Sequence, residues 1–238
     1  IPVPNGGLWF SEAGGLTPPV ITDFLVKDAV YIQSNVSGLQ LDNDKIKLIN
    51  QQGAEIGLFD GIVVAAGAGI SDLMPEWQWP LYPNRGQLAY VSELEPSPRI
   101  PVTYGGYISP AIDLGEGKRG HVLGATYARR DELPDAERMS RREADDAERR
   151  ENLRVHLPEI KASAVIGGRT ARRTTIKGYM PLAGRVKDNV FVLGGLGSRG
   201  FLTAPILSEL IADQMTGAPL PLQCDIVAAL DPLRFKNV

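Results

Sequence analysis

The stretch NVFVLGGLGSRGFLTAPILSELIADQM, Asn189 to Met215, decides how the rest of the chain is read. Val190-Phe-Val-Leu193 is a short continuous apolar run that stops at glycines, the pattern of a buried strand. Gly194, Gly195, Gly197 and Gly200 form a turn in which the backbone can approach a ligand closely. A helix is expected next, with Thr203 or Ala204 as its N-cap and Pro205 in its first turn. Ile206, Leu207, Leu210, Ile211 and Met215 would form its apolar stripe, and Gly217 stops it. Strand, glycine turn and helix N-terminus together aim backbone N–H groups and a positive dipole end at one point.

Gly195-x-Gly197-x-x-Gly200 formally matches a dinucleotide fingerprint. That fingerprint needs a second parallel strand after the helix, with an acidic residue for the ribose. Here Thr216-Gly-Ala-Pro-Leu-Pro-Leu-Gln223 follows, which is not a strand entering a sheet. Two readings remain, a glycine turn made for packing and a helix N-terminus that faces some other electron-rich group.

A chain of 238 residues can bury a sizeable core as one large or two small domains. Apolar residues make up 43% and charged residues 22%, ordinary for a globular protein. The net charge of −3 gives no overall drive towards nucleic acid or membrane, so any such surface must be local. Cys224 is the single cysteine, which leaves no internal disulfide and fits a reducing, cytoplasmic setting. No apolar run approaches spanning length, so no membrane association is expected, and no signal peptide is visible. The chain opens at Ile1 in a Pro/Gly segment, which reads as a piece of something longer.

Thr17-Pro-Pro-Val-Ile-Thr-Asp-Phe-Leu-Val26 carries helix-start chemistry, with Thr17 as cap. Short strands are expected near 29–36, 45–49 and 55–59, then a buried strand from Gly61 to Gly67. Its ending, Ala65-Ala66-Gly67, removes bulk where a flat or phosphate-bearing ligand could approach. Between 75 and 178, Arg85–Val91, Val102–Pro110 and Gly120–Tyr127 read as strands of an antiparallel sheet. Residues 135–154 read as a charged helix whose seven acidic and six basic residues nearly cancel, a solvated face laced with ion pairs. Arg169, Arg172 and Arg173 then sit in a segment that must return to the core; a guanidinium there suits a carboxylate, from a ligand or from the protein itself.

Gly67 closing a strand, Arg85-Gly-Gln87, Tyr107-Ile-Ser-Pro110, Leu123-Gly-Ala-Thr126, Arg173 eight residues before Pro181 and the final glycine turn occur in one order. In that order they resemble the D-amino-acid-oxidase-like flavoproteins, which include glycine and sarcosine oxidases. Gly197-Ser-Arg-Gly200, Ala204-Pro205, Pro219-Leu-Pro221 and Ala228-Ala-Leu-Asp-Pro-Leu-Arg234 are most similar to the oxidoreductase half of bacterial bifunctional tRNA-modifying enzymes. One departure stands out. The family usually carries an Asp three residues before the proline, where this chain has Gly178.

The resemblance implies a mixed α/β (α+β) fold. An FAD-binding Rossmann-like domain, lacking its N-terminal βαβ unit, would be interleaved with an antiparallel-sheet substrate domain. The expected boundaries are 1–74 and 179–238 for the FAD-binding parts and 75–178 for the substrate domain. The absent half would hold the pyrophosphate, so weak flavin affinity is expected, and the parent would add a methyltransferase domain. The implied reaction oxidises the carbon between amine and carboxylate of carboxymethylaminomethyluridine at the tRNA wobble position, giving aminomethyluridine and glyoxylate. Arg173 would clamp the carboxylate with Tyr107 as hydroxyl helper. Gly195, Leu196, Gly197, Ser198, Arg199 and Gly200 would line the flavin ring, and Val36, Ala65, Ala66 and Gly67 the other end of FAD. The partner is then tRNA or, alternatively, a free glycine-like amino acid. A flavin-free binding domain is a further alternative, as is a nucleic-acid-binding module built on Arg129-Arg130, Arg141-Arg142 and Arg149-Arg150.

Overall fold

The computed structural model describes residues 6–127, 140–161 and 164–236. In chain order its elements are helix α1 (Pro18–Val26), strands β1 (Val36–Asp42), β2 (Lys45–Asn50), β3 (Glu55–Phe59) and β4 (Ile62–Val64), and helix α2 (Ile70–Leu73). Strands β5 (Leu81–Ser92), β6 (Val102–Thr103), β7 (Tyr107–Ile108), β8 (Ile112–Asp113) and β9 (Arg119–Gly124) follow, then helix α3 (Glu143–His156). The chain ends with β10 (Val165–Ile176), β11 (Leu182–Lys187), β12 (Val190–Gly194) and helices α4 (Gly200–Thr216) and α5 (Cys224–Leu230). The mixed α/β class expected from the sequence is the one observed. The chain forms two compact units, one of residues 1–31 and 85–171, the other of 32–84 and 172–238.

In the first unit an antiparallel ladder pairs β5 with β9, β9 with β7 and β8, and β7 with β6. Ala89, Val91, Leu94, Ile108 and Leu123 pack with Leu153, Leu157 and Ile160 into its core. Helix α3 has the solvated, ion-paired face expected, with Glu151 and Arg154 exposed and paired, and turns a second face into the unit. It begins at Glu143 within the described residues, and Asp146 and Arg149 are buried. The reason is tertiary pairing. Gln87, fully buried, donates from Nε2 to Asp146 Oδ1 (2.7 Å) and to the carbonyl of Arg142 (2.8 Å). Its Oε1 accepts from Arg85 Nη2 (2.5 Å) and the Arg142 N–H (2.8 Å), so every hydrogen-bonding position of the amide is used. Arg85 also meets Asp145 at 2.5 Å, and Arg141 Nε meets Asp146 at 2.8 Å. Nearby, burial pushes the Tyr104 hydroxyl up to about 12, against the opposing pull of Arg149.

In the second unit β1, β2 and β3 form an antiparallel meander. The first strand lies at 36–42 rather than near 29–36, and Val30 and Tyr31 are exposed. The Asn43-Asp44 turn sets this: the strand paired with β2 must run up to the turn, so Leu39 faces Leu48 and Leu41 faces Ile46. A three-stranded sheet of order β11-β12-β4 follows, with β11 antiparallel and β4 parallel to β12. Strands β11 and β12 carry buried residues on both faces, while Val63 of β4 is exposed. Leu182, Val186, Val190, Val192 and Val64 join one cluster, while Ala183, Phe191, Leu207, Leu210 and Ile211 form another beneath α4. Gly217, at φ +75°, ends α4 as expected, but the start differs. A 3-10 turn at Gly197–Arg199 runs directly into a helix that begins at Gly200, so Pro205 is an interior residue. Gly200 has an ordinary helical φ of −53°, so this glycine extends the helix instead of breaking it.

Candidate active site

The register of the parallel pair β12 and β4 runs to Val192 opposite Val64, where β4 ends, and β12 continues two residues further to Gly194. Each strand then enters a glycine turn, Ala65-Ala66-Gly67 after β4 and Gly194-Gly195-Leu196-Gly197 after β12. Gly67, Gly195 and Gly197 have φ of +58°, +70° and +59°, a region in which a side chain is strained. Adjacent parallel strands whose carboxyl ends open into such turns make the crevice where open α/β sheets bind ligands.

The two turns are locked together by one side chain. Ile70, fully buried at the start of α2, places Cδ1 2.4 Å from where a Cβ on Gly194 would stand. A larger residue there would force the Ile70 side chain to shift. Neither the Gly197–Arg199 turn nor α4 has a side-chain cap, so the backbone donors at the start of α4 are not satisfied by a side chain. Ala65, Ala66 and Gly67 are exposed, and Leu196, Gly197 and Gly200 are half-buried. Ser198 and Arg199 point their side chains to solvent, leaving their backbone to line the turn.

Strand β10 closes one side. Thr175 pairs with Leu196 in a single antiparallel bridge, and its Cγ2 lies 3.1 Å from the position of a Cβ on Gly197. Thr175 is fixed in turn, accepting from Asn84 Nδ2 at 2.8 Å. Side chains two apart on a strand share a face, so Arg173 stands on the Thr175 face of β10. Arg173 is half-buried and engaged with the protein.

Of the residues expected from sequence, Ala65, Ala66, Gly67 and Gly195 to Gly200 are brought together, with Arg173 on the neighbouring strand. Val36 opens β1, a strand that packs on α2. Tyr107 lies in the other unit, on β7, its ring laid across Gly124 of β9. Thr175 and Ile70 were not expected. Period-two spacing from Arg173 could have found Thr175; nothing local signals Ile70. Among the described residues no group of His, Cys, Asp or Glu could hold a metal ion.

The family model for FAD dependent oxidoreductases (DAO) matches residues 2–214. The chain belongs to this family. The tRNA 5-methylaminomethyl-2-thiouridine biosynthesis bifunctional protein MnmC of Magnetococcus marinus is 31% identical over 266 residues, covering 98% of this chain and 40% of that protein. MnmC of Caulobacter sp. (strain K31) is 34% identical over 212 residues, covering 87% of this chain and 33% of the relative. The chain therefore spans about two fifths or less of these relatives' length. Glycine oxidase from Geobacillus kaustophilus shares the fold at a TM-score of 0.64 and 19% identity, over 86% of this chain and 53% of that one. Iminodiacetate oxidase from Chelativorans sp. BNC1 does so at 0.64 and 20%, over 83% and 53%.

The donor set fits the ring end of FAD. A flavin ring offers carbonyl oxygens and a nitrogen that becomes negative on reduction, and the uncapped turn before α4 offers backbone N–H groups and a positive dipole end. The pyrophosphate is not served in the same way. Helix α4 is followed by α5, not by a parallel strand, so Gly195-x-Gly197-x-x-Gly200 lacks the context of the dinucleotide fingerprint.

Proposed function

We propose that this member of the FAD-dependent oxidoreductases oxidises the N-alkylglycine end of carboxymethylaminomethyluridine at the wobble position of tRNA. The observation that carries the proposal is the place of Arg173, one strand repeat from Thr175, which packs on the glycine turn suited to the flavin ring. A guanidinium beside a flavin face is what an N-alkylglycine needs, because its carboxylate accepts two parallel hydrogen bonds. The name of the relatives, tRNA 5-methylaminomethyl-2-thiouridine biosynthesis proteins, supports tRNA as the carrier of that group.

FAD held at these turns would supply the two-electron oxidation of the carbon between amine and carboxylate. The chain's own residues do the positioning. Arg173 holds the carboxylate and so fixes the reacting carbon over one face of the turn. The backbone N–H groups of Gly195 to Gly200 and the start of α4 offset negative charge beside the ring. Ala65, Ala66 and Gly67, with Val36 on the strand packed against α2, leave room for the other end of the cofactor. Water then adds across the C=N bond of the oxidised substrate, giving aminomethyluridine and glyoxylate.

The test is to supply the FAD-loaded protein with tRNA carrying carboxymethylaminomethyluridine and, separately, with sarcosine. Loss of the carboxymethyl group with release of glyoxylate supports the proposal. Turnover of sarcosine with no change in the tRNA replaces it with a free amino-acid oxidase.

A further inference from the structure

The turn from β10 to β11 carries an aromatic residue with a left-handed backbone and an exposed side chain. The Tyr179 N–H donates to the Ile176 carbonyl at 3.0 Å, closing a turn with Gly178 at φ +82°. Glycine is what such a turn needs at that place. Tyr179 follows at φ +63°, in the left-handed region that L side chains disfavour. Its ring is 81% exposed and makes no hydrogen bond or ring contact with any described residue. The turn is nonetheless braced. Arg234 donates from Nη2 to the Met180 carbonyl at 2.5 Å and from Nη1 to the Asp231 carbonyl at 2.9 Å. The Lys177 N–H donates to the Pro80 carbonyl at 3.2 Å.

The position of this ring matters. Leu182 pairs with Gly194, so β11 enters the sheet where β12 leaves it, and Tyr179 stands three residues before that point. It therefore lies at the sheet edge that carries the glycine turn. Of the nearby cations, Lys177 lies two residues before Tyr179 and Arg199 lies in the glycine turn, while Arg185 and Lys187 stand at the far end of β11, opposite Phe191 and Val190. From residue 172 to 199 the chain has six basic residues and one acidic residue, Asp188, although its net charge is −3. Lys187 and Arg185 are engaged with Asp188, at its carboxylate and its carbonyl. Arg172, Lys177 and Arg199 are exposed, and among the described residues none has a carboxylate within salt-bridge distance.

An exposed ring with Lys177 two residues away and no carboxylate on that lysine among the described residues matches single-stranded RNA, whose unstacked bases lie on aromatic faces while phosphates meet Lys and Arg. We propose that Tyr179 is a stacking platform for one base of a single-stranded RNA loop, with Lys177 and Arg199 meeting the flanking phosphates. This rests on the reading of the substrate as tRNA and names the surface that would receive it. Duplex RNA fits poorly, because its bases are already stacked.

Fluorescence anisotropy with a labelled anticodon stem-loop RNA, against a blunt RNA duplex of equal nucleotide count, tests this. Wild type should prefer the loop, and Tyr179→Ala should weaken loop binding roughly tenfold while leaving duplex binding unchanged. Tyr179→Phe should bind as wild type. Tyr179→Gly should lose loop binding like Tyr179→Ala yet raise the thermal midpoint, because glycine adopts φ +63° without strain. A Tyr179→Gly protein with a lowered midpoint marks the ring as structural and overturns the inference. Loop binding unchanged in Tyr179→Ala also overturns it and leaves the tRNA reading standing. Equal loop and duplex binding, indifferent to Tyr179, reduces the surface to polyanion attraction. Failure of wild type to bind the loop at all removes the inference and the tRNA substrate together.

Discussion

Thr175 and Gly197 meet where β10 reaches the glycine turn, the threonine Cγ2 lying 3.1 Å from the place a Cβ on Gly197 would take. Gly197 also sits at φ +59°. A side chain there faces two penalties, backbone strain and contact with Thr175. Gly197→Ala should lower stability by about 1–2 kcal/mol and weaken flavin binding. Adding Thr175→Ser removes the contact but not the strain, so it should recover only part of the loss. Chemical denaturation of the two variants checks this; full recovery would mean that the left-handed backbone carries no cost.

Gly194→Ala meets Ile70 Cδ1 at 2.4 Å, too close for a real contact. Overpacking of this kind typically costs about 1–3 kcal/mol. Ile70→Val deletes that methyl, so the double variant should be more stable than Gly194→Ala alone. Additive effects in the double-mutant cycle would show that the two turns are not joined through this pair.

Arg173→Ala should leave flavin spectra unchanged and lower kcat/KM on the N-alkylglycine substrate roughly 150- to 5,000-fold, a loss of about 3–5 kcal/mol in transition-state binding. Arg173→Lys should recover little, because an ammonium cannot make the paired hydrogen bonds of the guanidinium. Steady-state kinetics on the FAD-loaded protein give the comparison.

Gln87 lies in the first unit and touches no part of the proposed chemistry, yet its amide joins two charged residues and the start of α3. Gln87→Leu leaves Arg85 and Asp146 buried with fewer partners. A loss of about 2–4 kcal/mol is expected in thermal or denaturant unfolding. A near-neutral effect would mean that α3 is held by its apolar contacts alone.

Tyr104 has a folded-state value of about 12, raised above its ordinary 10 by burial. The folded protein therefore keeps this proton after the unfolded chain has lost it. Its contribution is fully present below pH 10 and is lost as pH rises towards 12. Tyr104→Phe should flatten the fall in stability across that window, measured by denaturant unfolding at several pH values. An unchanged slope would assign the alkaline loss elsewhere.

Much of the site could be read from residues 189–215, because a buried strand, a glycine turn and an amphipathic helix each leave a local signature. Gly200 misled the reading of the helix start, since glycine suits both a turn and, at φ −53°, a helix. The first strand was misplaced because Val30 and Tyr31 look like strand residues, while register is set by the turn at Asn43. The Ile70–Gly194 and Thr175–Gly197 contacts were invisible because they join distant parts of the chain. Asp146 and Arg149 carry charges that sequence assigns to solvent, and only their pairing across the fold accounts for their burial.

The paired glycine turns are the proposed seat of the flavin ring. Titration of the protein with FAD, followed by visible absorption and by gel filtration, decides this. A saturable, resolved two-band spectrum that weakens in Gly197→Ala is expected. Retention on gel filtration should be poor, because no described turn has the pyrophosphate fingerprint in its proper context. A free-flavin spectrum unchanged at every FAD concentration would contradict it.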